Sequence, residues 1–220
     1  MFARGAIVSQ PKVIFLDAVY TLFGIRGSVG QIYGEFARQS GIDVDVEALD
    51  RAFYESFSDS PPCAFPGVEP VAIPGKEYDW WYEIAARTFK LAGVFDRIED
   101  FDRFFGPIYL HFAKPDPWFV YEDVRPALEY WQQQGIELGV ISNFDSRLHA
   151  VLEALDLSRY FTSVTVSTEV SAAKPDRAIF TAALEKHQCQ PDGAWHIGDS
   201  TGADFEGAKA VGIRGILLKR

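Results

Sequence analysis

The sequence reads as an α/β protein, an open doubly wound parallel sheet with an all-helical insertion. Three observations support this. Short apolar runs recur without the alternation of a half-buried strand, helical patterns separate the later ones, and a long aromatic-rich stretch of helical periodicity follows the first. Strands buried on both faces are near-continuously apolar, the habit of parallel sheets covered by helices. Strand and helix in alternation imply right-handed crossovers feeding one sheet.

The first run, Val13-Ile14-Phe15-Leu16, ends at Asp17. Four segments resemble it, at residues 138–141, 164–166, 195–197 and 215–218. Helices are expected over 123–134, stopped by Gly135, and over 145–155, with Leu148, Val151, Leu152 and Leu155 on one face. Two more are expected over 176–187 and 204–211, the latter ended by Gly212. Residues 28–113 instead repeat at helical spacing (Ile32/Phe36, Leu49/Phe53/Phe57, Trp81/Ala85/Phe89, Phe101/Phe105/Tyr109) with no strand pattern. Of 32 aromatic residues, 20 fall within 24–122, enough to pack a separate core. The expected division is a core domain of residues 1–23 and 123–220 and a helical domain of residues 24–122, with linkers near 23–27 and 121–123. Residues 61–74, rich in proline, read as an irregular loop.

At 220 residues the chain can bury a sizeable core without metal or disulfide staples. Its 48% hydrophobic and 24% charged content excludes a disordered, collagen-like or coiled-coil chain. The net charge of −10 repels nucleic-acid phosphates and anionic lipid, so neither partner is expected and phosphate binding must come from a local pocket. Cys63 and Cys189 are too few for a disulfide framework and read as reduced thiols. No apolar run is long enough for a signal peptide or a spanning helix, and the sole asparagine, Asn143, begins no glycosylation sequon. A cytoplasmic protein is expected; oligomeric state is unreadable.

In open α/β sheets, ligands bind beyond the carboxyl ends of the strands. There the sequence sets Asp17, then Ser142 and Asn143, then Lys174, then Asp199, with Asp204 five residues later. Carboxylates, a lysine and a hydroxyl converging on one edge suit a hard divalent cation and an anionic substrate.

These segments resemble the four motifs of the haloacid dehalogenase-like hydrolases: DAVYT (17–21), VISN (140–143), KPD (174–176) and GDSTGADFEGAKAVG (198–212). A helical insertion after the first motif resembles subfamily IA, with the first type of cap. The resemblance spans about residues 12–23 and 123–218, and the cap matches in position and helical character only. It implies a Rossmann-like, three-layer core and a Mg²⁺-dependent phosphatase acting on a small phosphorylated metabolite. Asp17 would be the nucleophile, forming an aspartyl-phosphate. Asp17, the Val19 carbonyl and Asp199 would hold Mg²⁺, with Lys174 as a second cation. Ser142, Asn143 and Lys174 would bind the phosphoryl oxygens, Asp204 would orient Lys174 or a metal-bound water, and Thr21 would secure the turn after Asp17.

Two departures from the family pattern matter. Its phosphatases place a second aspartate, the general acid/base, where this chain has Val19; losing such a group typically forfeits about 10²–10⁴ in rate. The residue before Thr21, often glycine in the family, is Tyr20, whose ring reads first as packing. Val19 keeps two alternatives open: halide displacement of the dehalogenase type, and a degenerate phosphate-binding member. The Gly198-Asp199-Ser200 form of the fourth motif favours the metal-dependent phosphoryl branch.

Other features have plainer readings. Gly24, Gly27 and Gly30 lack dinucleotide spacing and read as a hinge. All four histidines precede Ser200, which argues against an esterase nucleophile. Asp43, Asp45 and Glu47 read as a solvated turn, the Lys114-Pro115-Asp116 triplet as coincidence, Trp80-Trp81-Tyr82 as core packing, and His196 as a satisfied core histidine. Arg26, Arg38 and Lys76 are candidate anion contacts in the insertion.

Overall fold

The computed structural model describes residues 10–220. Strand β1 (Val13–Leu16) opens the fold, and the chain leaves it through β2 (Phe23–Ile25). Helices α1 (Val29–Gln39), α2 (Val46–Ser58), α3 (Ile73–Leu91) and α4 (Phe101–His111) follow, and β3 (Trp118–Val120) leads back. Then come α5 (Val124–Gln133), β4 (Glu137–Ser142), α6 (Arg147–Ala154) and β5 (Ser163–Val166). A short α7 (Ser167–Val170), α8 (Arg177–Lys186), β6 (Ala194–Gly198), a π-helical turn (Thr201–Glu206), α9 (Gly207–Ala210) and β7 (Arg214–Leu217) complete the chain.

Five strands form one parallel sheet in the order β5-β4-β1-β6-β7. The order reverses beside β1, so its carboxyl end opens into the crevice that such sheets use for ligands. Successive side chains of β1 take opposite faces. Ile14 and Leu16 pack with Leu128 and Leu148, while Val13 and Phe15 pack with Ile179 and Phe180. Both faces are thereby covered, which is why the run lacks alternation. Each large side chain so buried contributes roughly 1.5–3 kcal/mol.

The helices between β2 and β3 build a third apolar cluster, in which Tyr33 stacks on Phe89 with ring centroids 5.5 Å apart. Sequence-local caps start α1, α2 and α4. Ser28 accepts from the Gln31 N–H at the start of α1, and Asp45 accepts from the Glu47 and Ala48 N–H groups at the start of α2. The acidic segment Asp43 to Glu47, expected as a solvated turn, thus holds the cap of α2.

Four expectations need correction. The insertion is not all-helical at its base, because the two linkers pair as an antiparallel ribbon, Phe23 opposite Val120 and Ile25 opposite Trp118. Runs of three residues are too short to show a period. The proline-rich loop is shorter than 61–74, because Pro70 begins a 3₁₀ turn and Pro74 lies in the first turn of α3, where no N–H is needed. Helix α6 starts two residues after Asp145, whose side chain is drawn into a buried ion pair. The helix expected from Asp204 is a π turn before it becomes α-helical, a widening often found at functional sites. Among the described residues, no helix is long and apolar enough to cross a membrane.

Candidate active site

Asp17 leaves β1 with its N–H donated to the Ile197 carbonyl at 2.9 Å, so the parallel ladder carries it to the sheet edge. The chain then turns sharply. The Leu22 N–H reaches the Ala18 carbonyl at 2.8 Å, and Tyr20 adopts φ +60. That left-handed value is uncommon for any residue but glycine.

Lys174 is the hub of the site and is buried. Its ammonium donates to Asp17 Oδ1 at 2.6 Å, Asp204 Oδ1 at 2.6 Å and the Ile141 carbonyl at 2.8 Å, which uses all three protons. Asn143 fixes the backbone beneath it, accepting from the Lys174 N–H at 2.6 Å and donating to the Lys174 carbonyl at 2.9 Å. Asp204 also accepts from the Ser200 N–H at 3.0 Å and lies 2.8 Å from His196 Nε2. Gly198 makes this approach possible, since a Cβ there would lie 2.2 Å from Asp204 Cγ.

One oxygen from each of Asp17, Asp199 and Asp204 lies within 4.8 Å of the others. A single ammonium cannot balance three carboxylates, and the acidities reflect this. Burial raises the Asp17 carboxyl above its ordinary value, opposed by Lys174 and reinforced by the charges of Asp204 and Asp199. Burial likewise raises Asp199, with Asp204 adding to it. For Asp204, burial is outweighed by the His196 hydrogen bond and the Lys174 charge, which hold it well below the usual range. Burial works against the Lys174 ammonium, but Asp17 and Asp204 keep it charged. Burial lowers His196, which favours the neutral ring. With the three acids ionised and His196 neutral, the cluster carries −2. Hard oxygen donors around such a charge fit a divalent cation.

Above this floor lies a cavity of about 470 Å³, bounded by the insertion and lined also by Val19, Tyr20, Ser142, Ser200 and Arg147. Arg147 forms a bidentate pair with Asp145, donates to the Tyr109 carbonyl at 2.6 Å and stacks on the Tyr109 ring at 3.8 Å. Trp81 Nε1 donates to the same Asp145 carboxylate. Deeper, Glu77 of α3 accepts from the Ser146 N–H and hydroxyl and from the Thr168 hydroxyl.

Asp17, Ser142, Lys174, Asp199 and Asp204 thus meet as neighbours. Other expected roles change. The Asn143 side chain also positions the lysine, and since only one of its two amide protons goes to the Lys174 carbonyl, the second is left for a ligand in the cavity it lines. Thr21 Oγ1 is buried with no hydrogen-bond partner among the described residues, and backbone bonds secure the turn. Tyr20 is 48% exposed and stands on the cavity, not in packing. Trp81 lines the cavity too, against the expectation of core packing alone. His196 is only half satisfied, its Nδ1 having no partner among the described residues. Arg26, Arg38 and Lys76 are exposed and line no part of the cavity.

Glu77, Asp145 and Arg147 escape sequence reasoning. Asp145 sits where a helix cap would, and Glu77 is one acid on a polar-looking helix; Trp81 lies 64 residues from Asp145, and the partners of Glu77 lie 69 and 91 residues away.

The family model of the haloacid dehalogenase-like hydrolases matches residues 11–212. A bovine (Bos taurus) relative, haloacid dehalogenase-like hydrolase domain-containing protein 3, is 33% identical over 209 residues, 95% of this chain and 82% of that protein. A solved phosphatase of the same superfamily from Thermococcus onnurineus is 25% identical with a TM-score of 0.62, covering 95% of this chain and 86% of that one. The 2-haloacid dehalogenase of Pseudomonas syringae pv. Tomato DC3000 shares the fold at 20% identity and a TM-score of 0.56, over 95% and 86% of the two chains. With that family's model spanning four of the five strands of the parallel sheet and every residue of the acidic floor, the chain belongs to the haloacid dehalogenase-like hydrolases.

Proposed function

We propose that the protein is a Mg²⁺-dependent phosphatase of small phosphorylated metabolites. The observation that favours this reading is the excess negative charge at the cavity floor, three carboxylates within 4.8 Å and one ammonium. Displacing halide from carbon requires no such surplus. Asp17 and Asp199, with the Val19 carbonyl, would hold Mg²⁺, which when bound offsets repulsion between a phosphate dianion and a carboxylate.

Lys174 engages Asp17 Oδ1, which leaves Oδ2 to attack phosphorus. The Oδ2–P bond forms as the bond from phosphorus to the leaving oxygen breaks. Water then cleaves the aspartyl-phosphate, releasing inorganic phosphate and restoring the carboxylate. The positive charge of Lys174, the second Asn143 amide proton and the Ser142 hydroxyl would stabilise the phosphoryl oxygens in both steps. Asp204 keeps Lys174 charged and aimed. Residues 24–122 serve as a cap over the core of residues 10–23 and 123–220, excluding water during transfer; residues 1–9, assigned to the core from sequence, lie outside the described residues. Two free buried thiols, Cys63 and Cys189, suit a reducing cytoplasm.

The test is a panel of acetyl phosphate, p-nitrophenyl phosphate and 2-chloropropionate, each with Mg²⁺ and with EDTA. Phosphate release that EDTA abolishes and Mg²⁺ restores supports the reading. Halide release in EDTA would replace it with the dehalogenase reading, which Val19 favours; binding without turnover would mark a degenerate member. Asp17→Asn should lose at least about 10³ in kcat while keeping its thermal midpoint, and Ser200→Ala should remain active.

A further inference from the structure

We infer that the organic part of the substrate is a flat, apolar aromatic group, so that the enzyme cleaves aryl phosphates in preference to polyol or carboxylate-bearing phosphates. The identity of the broken bond rests on the phosphatase reading; the identity of the group filling the cavity does not.

The walls are the first ground. Beyond the acidic floor the cavity is faced by Phe53, Phe57, Trp81 and Phe112. Among the described residues, seven large apolar side chains are left exposed, and three of them, Tyr20, Tyr54 and Phe57, stand on this one cavity. Clustered exposed aromatics mark a surface meant to be covered. A volume of about 470 Å³ is that of a small-molecule site, and rings packed on rings at 4.5–7 Å add to area burial.

The second ground is charge. Among the described residues, the only cation besides Lys174 lining the cavity is Arg147, and Asp145 neutralises it through two hydrogen bonds. A carboxylate or second phosphate on the substrate would therefore meet no free counter-charge. Polyol hydroxyls beyond reach of the lining tyrosine and Ser200 hydroxyls would be pressed against ring faces at a cost of about 1–3 kcal/mol each.

The third ground concerns the leaving oxygen and is independent of the walls. Val19 carries no proton to give. A phenolate, whose conjugate acid lies near about 10 as in tyrosine, departs unprotonated far more readily than an alkoxide. As the bond to phosphorus breaks, the phenolate keeps the electron pair and takes its proton from water. An alkyl chain would suit the walls but not this step, so the aromatic group satisfies both.

The experiment has two arms on the full-length protein with Mg²⁺. In the first, kcat/KM is measured for 2-naphthyl phosphate, n-octyl phosphate, glycerol 3-phosphate and phosphoglycolate, with acetyl phosphate reporting the core chemistry. The 2-naphthyl ester should exceed the two polar esters at least about 100-fold and the octyl ester at least about tenfold. In the second, calorimetry compares naphthylmethylphosphonate, methylphosphonate and phosphonoacetate. The aromatic phosphonate should bind at least about 30-fold tighter than either of the others, and Phe57→Ser, shown folded by its thermal midpoint, should weaken it about tenfold. If acetyl phosphate is not cleaved, the phosphatase reading fails and the second arm alone judges the cavity. Equal binding of the phosphonates, or a preference for glycerol 3-phosphate, phosphoglycolate or the octyl ester, overturns the inference.

Discussion

Tyr20 and Val19 flank the turn after Asp17, and each bears a cost with a measurable consequence. A side chain at φ +60 costs roughly 1–2 kcal/mol, part of which glycine would recover after its greater chain entropy is subtracted. Tyr20→Gly should therefore raise stability by about 0.5–1 kcal/mol in urea denaturation; a loss would mean the ring makes contacts that outweigh the strain. At Val19 the cost is kinetic. A series of phosphate monoesters with graded leaving-group acidity should show a steep decline toward alkyl esters. Val19→Asp should flatten it, speeding the slowest members about tenfold or more. A flat wild-type series would mean another residue already donates the proton. At this scale, residues that end apolar strands are legible in sequence, because Asp17, Ser142 and Asp199 each follow a run that names its own strand. Asn143 is not, since an amide's partner depends on where the 31-residue excursion to Lys174 returns.

Helix α3 shows what a one-dimensional pattern hides. Its apolar spacing announces a helix with Ala85 and Phe89 inward, and both are buried. The same spacing says nothing of Glu77, which is fully buried and bonded to the start of α6 and to α7. Glu77 and the Trp81–Asp145 bond thus fasten the insertion to the parallel-sheet layer through polar contacts. Glu77→Ala would strand three donors in an apolar interior at a cost of about 2–4 kcal/mol. The expected result is a lower urea midpoint with KM rising more than kcat falls. An unchanged midpoint would show that the insertion is held elsewhere. The ribbon of β2 and β3 was equally hidden, because pairing between residues almost a hundred positions apart leaves no local mark.

At the scale of the molecule, apolar runs told the sheet and aromatic density told the insertion, both being properties of burial summed over many residues. Reactivity is set at the same scale. Burial, reinforced by the charges of Asp145 and Glu77, pushes the Cys63 thiol up, and burial does the same for Cys189. The reactive thiolate is thereby scarce in the folded protein. Iodoacetamide at mildly alkaline pH should label both cysteines at least about ten times more slowly in the native protein than in urea, read by mass spectrometry. Rapid native labelling of Cys63 would mean that the segment around it opens often.

The paired linkers have a topological consequence. Because Phe23 to Ile25 and Trp118 to Val120 run side by side as hydrogen-bonded strands, everything between them is one long excursion from a hairpin. The sheet does not register the length of that excursion: Gly24 opposite Phe119 would be neighbours whether ninety residues intervened or two. The ribbon therefore works as a splice junction. Exchanging the excursion for a tight turn, or for a foreign helical bundle with closely spaced ends, leaves the register of every sheet strand untouched. A lineage could thus change what enters the cavity without renegotiating the floor.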